Sequence, residues 1–475
     1  MAAHRYIVLS FFTFLAGCIS LSRQEKTQHL LSTPSLEKST QSSLETGFLT
    51  EGHWPQERWW EIFESPTLSS WIDIALAKNP SLLATQSRVS LAKEQAAMVQ
   101  SKLLPSLFFH ATDSISHLSE HSILHMLNPA LPLNVYDVTF SFSFQYEFDF
   151  WRKNKNLFLA AVGEMKTKEA EFQQAEVILS TSLAAAYFSL SINLKKQTLY
   201  ESLYQIHKQQ LLLQKQLQLG ALSSKFPILQ EDAFLQKAEQ ELAGIQDELI
   251  SQRHQINTLM GRGPDEEIDL QKIHCHTLPS FSLPSNLSLD LVSHRPDLIA
   301  LLWRVESLAH EIGAARADFF PNINLAALVG LDSISLGSLF HTSSQTGSLT
   351  PALHLPIFTA GAIRANVQAK WASFHEAVFQ YNQHILQSAQ EIATLLSHMN
   401  TIYLQKDLQQ HIVDDATQRL CLTRLRKEGG LDSTFSLWDF EEQLIRKKLQ
   451  DLDLLYEKYL LFVKLIQALG GGYQV

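Results

Sequence analysis

The chain has 475 residues, of which 45% are hydrophobic and 18% charged, so it is long enough to bury a large core in more than one domain. Its formal net charge of −10 at pH 7 argues against a nucleic-acid-binding protein, because such proteins concentrate basic residues on one face. Three cysteines are too few for a disulfide framework. We expect Cys275 and Cys421 to be free thiols, because the helices predicted below hold them far apart.

A secretion signal is the first predicted element of the chain. An apolar stretch at 6–15 follows two basic residues and is too short to span a bilayer. The residues that follow, Leu15-Ala16-Gly17-Cys18, have the layout of a bacterial lipoprotein box. We therefore predict a lipoprotein signal peptide at 1–17 and a covalent lipid such as palmitate on Cys18. An ordinary signal peptide with a chance cysteine is the alternative.

The next segment, 18–53, is rich in Ser, Thr, Gln and Lys and is predicted to be a lipid-anchored tether, with regular structure beginning near Trp54. Further on, no proline occurs between Pro132 and Pro227 or after Pro356. A proline inside a helix costs about 3 kcal/mol, so these gaps permit very long helices. No later segment is predicted to be a transmembrane helix, because no uncharged apolar run of about 18 residues is expected.

The chain repeats its landmarks at the same spacings in its two halves. The matching sets are Pro80 and Pro105 with Pro296 and Pro321, and Asp149, Gly220 and Gly261 with Phe358, Gly429 and Gly470. Two structural repeats are therefore predicted, at 54–270 and 271–475. The first holds a helix, a β-hairpin at 106–148, a long helix at 151–218 and a helix at 224–260; the second holds a helix at 296–319, a β-hairpin at 322–358, a long helix at 361–428 and a helix at 432–468.

Apolar residues in the predicted helices recur every seven positions. The first long helix shows this at Ile178, Ala185, Ile192, Leu199, Ile206 and Leu213. In the last helix the apolar seam from Phe435 to Ile466 is interrupted only by Glu442. Heptads are typical of coiled coils, although an amphipathic bundle shows a similar stripe. Helices of this length cannot fold back into a compact globule, which favours the coiled coil.

A different period appears between the helices. Apolar residues alternate with polar ones from Val138 to Phe150, and the aromatic face consists of Phe140, Phe142, Phe144, Tyr146 and Phe148. Weaker alternation marks strands near 107–111, 323–331 and 349–357. A strand of this kind is either half-buried in a sandwich or faces lipid in a membrane barrel.

The number of strands decides how such a barrel would close. Open sheet edges are not tolerated in lipid, and single-chain barrels begin at about eight strands, so four strands must be completed by further copies of the chain. Three copies would supply twelve. The predicted fold class is an α+β membrane protein, a trimeric 12-stranded β-barrel with four strands per chain, continued by a long α-helical coiled-coil tunnel and built on an internal two-fold repeat.

Several segments carry a family resemblance, in this order: "SRVSLAKEQAAMVQSKLLPSL", "FQYEFDFWRKN", "GALSS", "LMGRGP", "HRPDLIALLWRVESLAHEIGAARADFFPNINL", "LHLPIFTAGAIRANV" and "ALGGGY". From Trp54 to Tyr473 the chain resembles the TolC-like outer-membrane factors, in particular the lipoproteins that serve resistance-nodulation-division (RND) efflux pumps. The resemblance implies a homotrimer in the outer membrane of a Gram-negative-type bacterium, with its tunnel in the periplasm. It also implies passive export, driven by an inner-membrane RND pump through a periplasmic adaptor (membrane fusion protein), with no enzymatic activity and no cofactor besides the lipid on Cys18.

The same resemblance suggests functional residues at the periplasmic end of the tunnel. Adaptor-docking tips correspond to Gly220, Ala221 and Ser223 in the first turn, and to Gly429, Gly430 and Asp432 in the second. Glycine suits the left-handed backbone of such turns, although plain helical hairpins would need it too. Asp439 matches a gate aspartate, with a solvated helix-surface residue as the alternative, and Arg424 or Arg426 could pair across helices to hold the gate shut. Two departures from the family pattern, Trp151-Arg152 and Pro227, suggest altered packing after the first hairpin and an altered helix start after the first turn.

Two groups of histidines have spacings that could bind metal: His117, His121 and His125, and His274 with Cys275 and His276. The first group falls in a predicted external loop without a carboxylate scaffold, and the second has no paired second cluster, so exposed or loosely packed histidines are favoured over a metal site. Two other functions remain open, a structural coiled-coil envelope lipoprotein and a type I secretion export duct. A lipid-anchored enzyme ranks last, since no H-E-x-x-H, G-x-S-x-G or phosphate-loop pattern occurs.

Overall fold

The computed structural model describes residues 28–45, 49–130, 132–270, 273, 281–284 and 287–473. The predicted signal peptide at 1–17, the lipidation site Cys18 and the group formed by His274, Cys275 and His276 lie outside the described residues. Residues 28–32 belong to a unit separate from the one formed by 33–475, which carries every element discussed below.

The described chain is dominated by helices. They are α1 Glu37–Glu45, α2 Pro66–Lys78, α3 Pro80–Gln100, α4 Ile123–Leu127, α5 Lys153–Leu219, α6 Lys225–Leu259, α7 Leu287–His294, α8 Pro296–Ala317, α9 Ala362–Glu428 and α10 Thr434–Ala468. The strands are β1 Leu49–Gly52, β2 Ser106–His117, β3 Asn134–Phe148, β4 Phe281–Pro284, β5 Asn322–Ser333 and β6 Gln345–His354.

Regular structure begins earlier than the sequence suggested. Helix α1 and strand β1 lie within the segment predicted as a tether, before Trp54. Strand β1 pairs in parallel with β4, in the segment between α6 and α7. Leu36 and Ser43 are buried, and Asn400 of α9 donates a hydrogen bond to the Ser43 hydroxyl. The C-terminal part of the segment 18–53 is therefore anchored to the helical body by packing that its polar composition did not reveal.

The long helices form where proline is absent. Helices α5 and α9 have 67 residues each, about 100 Å at 1.5 Å per residue, and α6 and α10 have 35 each. Pro227 lies in the first turn of α6, where its missing N–H costs no helical hydrogen bond. The helix starts at Lys225, just before this proline.

One helix contradicts the expectation about membrane-spanning helices. Part of α5 is long and apolar enough to cross a membrane by length and composition, and residues 177–194 carry no charged side chain. However, most of that stretch is buried within the chain. Its apolar composition is accounted for by the core that it helps to form.

That core lies around the middle of α5, where short N-terminal elements and the last helix meet. The Phe188 ring of α5 stacks on Tyr459 of α10 at 4.3 Å between centroids. Phe63, from the short 3₁₀ turn Trp59–Phe63, contacts Phe188 at 4.7 Å and Phe462 at 5.3 Å. Because these rings come from three distant parts of the sequence, they fix the helices against one another.

A buried ion pair secures the start of α8 beside this core. The Arg295 guanidinium contacts Asp297 at 2.8 Å and Glu391 of α9 at 3.1 Å, and it donates to the Ala468 carbonyl at 3.0 Å. Contacts with the two carboxylates raise the pKa of Arg295, against the opposing effect of its burial. The residue remains charged and joins three helices at one point.

The four longer strands form one antiparallel sheet in the order β2-β3-β5-β6. Each predicted hairpin is present, as β2 with β3 and β5 with β6, and β3 and β5 join the two hairpins side by side. The last strand differs from its prediction: β6 ends at His354, so Ile357 lies beyond it. Strand β3 likewise ends at Phe148, so Phe150 is not part of it.

Candidate functional site

The first candidate site is the apolar face of the sheet. In the antiparallel register Phe140 lies opposite Leu331, Phe142 opposite Val329 and Phe144 opposite Ala327. Directly opposed residues share a face, so the aromatic residues predicted on β3 belong to an apolar surface that extends over neighbouring strands. Its other members are Leu107, Phe109, Ala111, Tyr146, Phe148, Leu325, Ile323, Leu349 and Leu353.

This apolar face is not covered by the described part of the chain. Phe142 is 49% exposed, Val329 64% and Leu349 70%. A half-buried sandwich, the alternative drawn from sequence, would bury these side chains against a second sheet, and the described chain packs no such sheet on them. Only the rim near Val138 is covered, where Phe340 from the β5–β6 loop contacts Phe140 edge to face.

The opposite face of the sheet is mainly polar on β3, although Phe108 of β2 and Leu328 of β5 lie on the same side. The His110 ring and the Ser143 hydroxyl hydrogen-bond at 2.9 Å across β2 and β3, and Gln145, Glu147 and Thr139 occupy the same side of β3. A sheet with one exposed apolar face and one more polar face matches the wall of a water-filled barrel in lipid. Strands β2 and β6 are the outer strands, and the described chain pairs each of them on one side only.

The junction between the sheet and α5 is built around an acid and a tryptophan. The Asp149 carboxylate accepts backbone N–H bonds from Asn154 at 3.0 Å and Lys155 at 2.8 Å, which caps the helix. Trp151 stacks on Phe320 at 4.6 Å and donates to the Pro321 carbonyl at 2.9 Å. The departure at Trp151-Arg152 thus joins the end of the first hairpin to the start of the second.

The two helix-to-helix turns have the same backbone hydrogen-bond pattern. In the first, the N–H of Leu222 donates to the Leu217 carbonyl and that of Ala221 to Gln218. In the second, the N–H of Leu431 donates to Arg426 and that of Gly430 to Lys427. Both are Schellman motifs, which end a helix with one left-handed residue.

The left-handed residue of the first turn is not the glycine named from sequence. Gly220 has φ −78° and Gly429 has φ −78°, so neither needs the freedom of glycine. Ala221 takes φ +55° and Gly430 takes φ +72°. The expectation that Gly220 supplies the positive φ is wrong, because the left-handed position falls one residue later, on a residue with a Cβ.

The remaining tip residues and both arginines make local contacts. The Ser223 hydroxyl donates to Gln214 at 3.2 Å. Arg426 donates to the Asp432 carboxylate at 2.7 Å, and Arg424 lies 3.5 Å from Glu441. Within this chain, therefore, each arginine pairs with an acid other than Asp439.

Asp439 lies on α10 and is solvent exposed in the single chain. Partial desolvation of its carboxyl raises its pKa, and the nearby charge of Glu442 adds to this effect, while His207 and a hydrogen bond from Gln210 act in the opposite direction. Asp439 is thus one member of an acidic group rather than an isolated surface residue.

The centre of this group is His207, which sequence analysis did not single out. His207 of α5 is 2% exposed. Its Nδ1 atom lies 3.6 Å from Glu231 of α6, and its Nε2 atom lies 3.6 Å from Glu442 of α10. The one available signal was Glu442, the residue that interrupts the apolar seam of the last helix.

The histidines whose spacing could bind metal, His117, His121 and His125, do not form a metal site in the described chain. His117 hydrogen-bonds Asn134 at 2.7 Å beside the β2–β3 loop. Among the described residues, which include His121 and His125, no group of three or more His, Cys, Asp or Glu side chains is arranged to hold a metal ion. Cys421 is a free, exposed thiol, as expected.

Proteins of known structure share this architecture over most of their length. The outer membrane protein VceC of Vibrio cholerae matches with a TM-score of 0.76 and 29% identity over 89% of this chain and 100% of that one. The CmeC outer membrane channel of Campylobacter jejuni matches with a TM-score of 0.82 and 20% identity over 96% and 94%. Similar curated sequences include the multidrug resistance outer membrane proteins MdtP and MdtQ of Escherichia coli. MdtP is 25% identical over 98% of this chain and 96% of its own length, and MdtQ is 27% identical over 97% and 96%.

Fold and exposed sheet together define the class, an outer-membrane channel protein that combines strands with a long helical region. The sequence family described as outer membrane efflux protein matches residues 71–262 and 287–471. The chain belongs to this family and is an outer-membrane efflux component, confirming the predicted resemblance, function and location. The family is one of transport channels, not of enzymes.

Proposed function

We propose that three copies of this chain form a passive export duct, a closed 12-stranded β-barrel continued by a helical tunnel. The observation that carries the proposal is the sheet, which has one exposed apolar face, one more polar face and two outer strands unpaired on one side in the described chain. Lipid tolerates neither an open edge nor unpaired backbone groups. Pairing of β2 from one copy with β6 from the next would remove every edge at once.

The two halves support a pseudo-sixfold arrangement of this duct. Each half contains a helix of 21 or 22 residues, a hairpin, a helix of 67 residues and a helix of 35 residues. Both turns end in the same Schellman motif. Two equivalent units per chain, in three chains, would place six similar helical hairpins around one axis.

The tips and Asp439 take functional roles within this arrangement. The exposed turns at 220–223 and 429–432 would meet a periplasmic adaptor that links the duct to an inner-membrane RND pump. Asp439 would form a ring of three carboxylates, which favours cations. Because Arg424 and Arg426 are held by Glu441 and Asp432, opening the gate would rearrange local ion pairs.

The cargo and the anchor are also proposals. Relatives carry the name multidrug resistance proteins, which supports small organic compounds as the exported class. Cys18 would carry the lipid that holds the chain to the membrane. Loss of a fatty-acid label in the Cys18→Ser protein would support this, and an equally labelled variant would contradict it.

The decisive experiment is to purify the full-length protein in detergent, measure its mass and reconstitute it in planar bilayers. A trimeric mass together with discrete single-channel conductance is expected. A monomer without conductance would contradict the proposal. A trimer that does not conduct would instead favour a structural envelope role. Deletion of the gene should raise susceptibility to several unrelated compounds if the cargo assignment is right.

A further inference from the structure

The cluster around His207 is a second device in the helical region, separate from the turns and the sheet. It lies about 20 Å from the first turn, given thirteen residues of helix at 1.5 Å each. His207 belongs to α5, Glu231 to α6 and Glu442 to α10. Phe234 of α6 covers the imidazole at 5.8 Å between ring centroids. The two helices that follow the two turns therefore both meet α5 at one buried imidazole.

The positions of the carboxylates determine what this imidazole can do. A neutral imidazole has one N–H donor and one lone pair, whereas the imidazolium ion has two N–H donors. Here a carboxylate lies at 3.6 Å from each ring nitrogen. With a neutral ring, one nitrogen lone pair would face the lone pairs of a carboxylate. One additional proton in the row from Glu231 through His207 to Glu442 supplies the missing donor. The contact between His207 and Glu231 and the contact between His207 and Glu442 then each have one hydrogen-bond donor.

Unpartnered atoms mark where that proton would go. The Nδ1 atom of His207 and the Oε2 atom of Glu231 are buried and have no hydrogen-bond partner among the described residues. On the other side, Glu442 is already compensated, because its second oxygen accepts a bond from Arg446 at 2.8 Å. The incomplete contact is therefore between His207 and Glu231. A metal ion on one ring nitrogen, with the other ring N–H donated to the second acid, is the competing occupant of this row, and the zinc arm of the experiment below separates it from a proton.

We propose that Glu231, His207 and Glu442 form a proton-operated clamp that fastens α6 and α10 to α5 when protonated and loosens when the proton leaves. The charged groups facing the imidazole are Glu231 from α6 and Asp439 and Glu442 from α10, with Arg446 behind Glu442. Three acids surround one histidine, so the cluster carries excess negative charge without the additional proton.

The direction of the pH response follows from the carboxylates. Burial raises the pKa of Glu231, with Asp439 and Glu442 adding to the effect and His207 opposing it. A carboxyl whose pKa is higher in the folded state binds more protons folded than unfolded, so its contribution to stability is lost as the pH rises. This effect closes the clamp in acid and loosens it in alkali.

The consequence for transport rests on the proposed function. Helices α6 and α10 begin directly after the turns proposed to dock an adaptor, so a loosened clamp would let the tip widen. The clamp itself is a property of helix packing and does not require the channel. The two ideas can therefore fail separately.

Hydrogen exchange of the purified full-length protein in detergent tests the clamp directly. Amides in segments 225–240 and 435–446 should lose about tenfold in protection between pH 5.5 and 8.0, after correction for intrinsic exchange, while α8 serves as an internal reference. In Glu231→Gln the amide can donate to Nδ1 of a neutral ring, so the protection should persist at pH 8.0. His207→Gln should lower protection at both pH values, and the exposed matched control His411→Gln should behave as the native chain does.

Three results would overturn the clamp. They are protection that does not change with pH, a Glu231→Gln variant with the native pH response, and a response that appears only with added Zn²⁺ and disappears with EDTA. Single-channel recordings at the same pH values test separately whether the clamp affects opening of the tip. A pH response in exchange without a change in conductance would retain the clamp and remove its role in opening the tip.

Discussion

The sheet and the middle of the helical region both contain clusters of aromatic residues, but these are exposed in the sheet and buried in the helical region. Around Phe188 and Tyr459 the rings are buried within one chain, and Tyr187 is 0% exposed. On the sheet, Phe142 and its neighbours remain open to the surroundings. The helical core is satisfied by the chain's own tertiary structure, whereas the apolar face of the sheet is left uncovered by the described chain, which is where the proposed trimer would place lipid. Apolar composition alone does not say which solvent a surface is meant to face.

The largest effect is expected in the helical core. Replacing Phe462 by alanine removes a ring that is fully buried against Phe63 and should lower the free energy of unfolding by about 3–5 kcal/mol. Phe109→Ala, on the exposed face of β2, is the matched control and should change it far less. Denaturant unfolding in detergent measures both variants. Equal losses at the two positions would remove the distinction between the regions.

A charge on the sheet tests which face meets lipid. Phe142→Arg places a cation near the middle of β3 on the apolar face and should cost about 2–4 kcal/mol of insertion free energy. Gln145→Arg, on the polar face of the same strand, should insert normally and alter conductance instead. Membrane fractionation and heat-modifiability on gels provide the measurement. If Gln145→Arg failed to insert while Phe142→Arg succeeded, the two faces would be assigned the wrong way round.

A smaller effect is expected at the turns, where neither packing nor lipid dominates. Ala221→Gly relieves a left-handed residue that carries a Cβ and should stabilise the first turn by about 1 kcal/mol. Gly430→Ala, the equivalent change in reverse, should destabilise the second turn by a similar amount. Exchange rates of the Leu222 and Leu431 amides report each turn separately. Unchanged rates in both variants would mean that the turns relax without strain.

The smallest effect concerns Asp439, which is exposed in one chain and would face the axis in three. Asp439→Asn should reduce cation selectivity modestly, measured as a shift of the reversal potential in a salt gradient. The pKa of Asp439 is raised, so its carboxylate is protonated at a higher pH than an ordinary aspartate. On acidification, the cation selectivity of the native channel should therefore decline at a pH above the one at which an ordinary aspartate loses its charge. Asp415→Asn, at another exposed aspartate, is the control. A reversal potential that is the same in Asp439→Asn and the native chain would exclude a carboxylate ring.

Much of the architecture was accessible from residue patterns. Missing prolines and heptads located the long helices to within a few residues, and strict alternation located β3. Strand β6 was placed too late, because its alternation is weak and polar residues fill its first half. The segment 18–53 was taken for a tether throughout, because the packing of α1 on α9 depends on a partner more than 300 residues away.

The functional residues were less predictable than the fold. The spacing of landmarks located both turns. Which residue adopts the left-handed backbone depends on where the helical hydrogen bonds stop, and in the first turn this residue is Ala221 and not Gly220. The partners of Arg424 and Arg426 depend on side-chain reach, which spacing does not specify. The His207 cluster required three helices to meet, and a lone interruption at Glu442 could not identify the other two members.

The order of helices and strands, the two-sided character of β3 and the position of the turns were determined by the sequence itself, because they depend on local periodicity and on where proline and glycine fall. Tertiary structure alone decided which apolar surfaces are buried and which remain open. It also decided that β3 and β5 join the two hairpins, and that His207 lies between two acids. These features depend on contacts between residues far apart in the chain, for which neighbouring residues carry no signal.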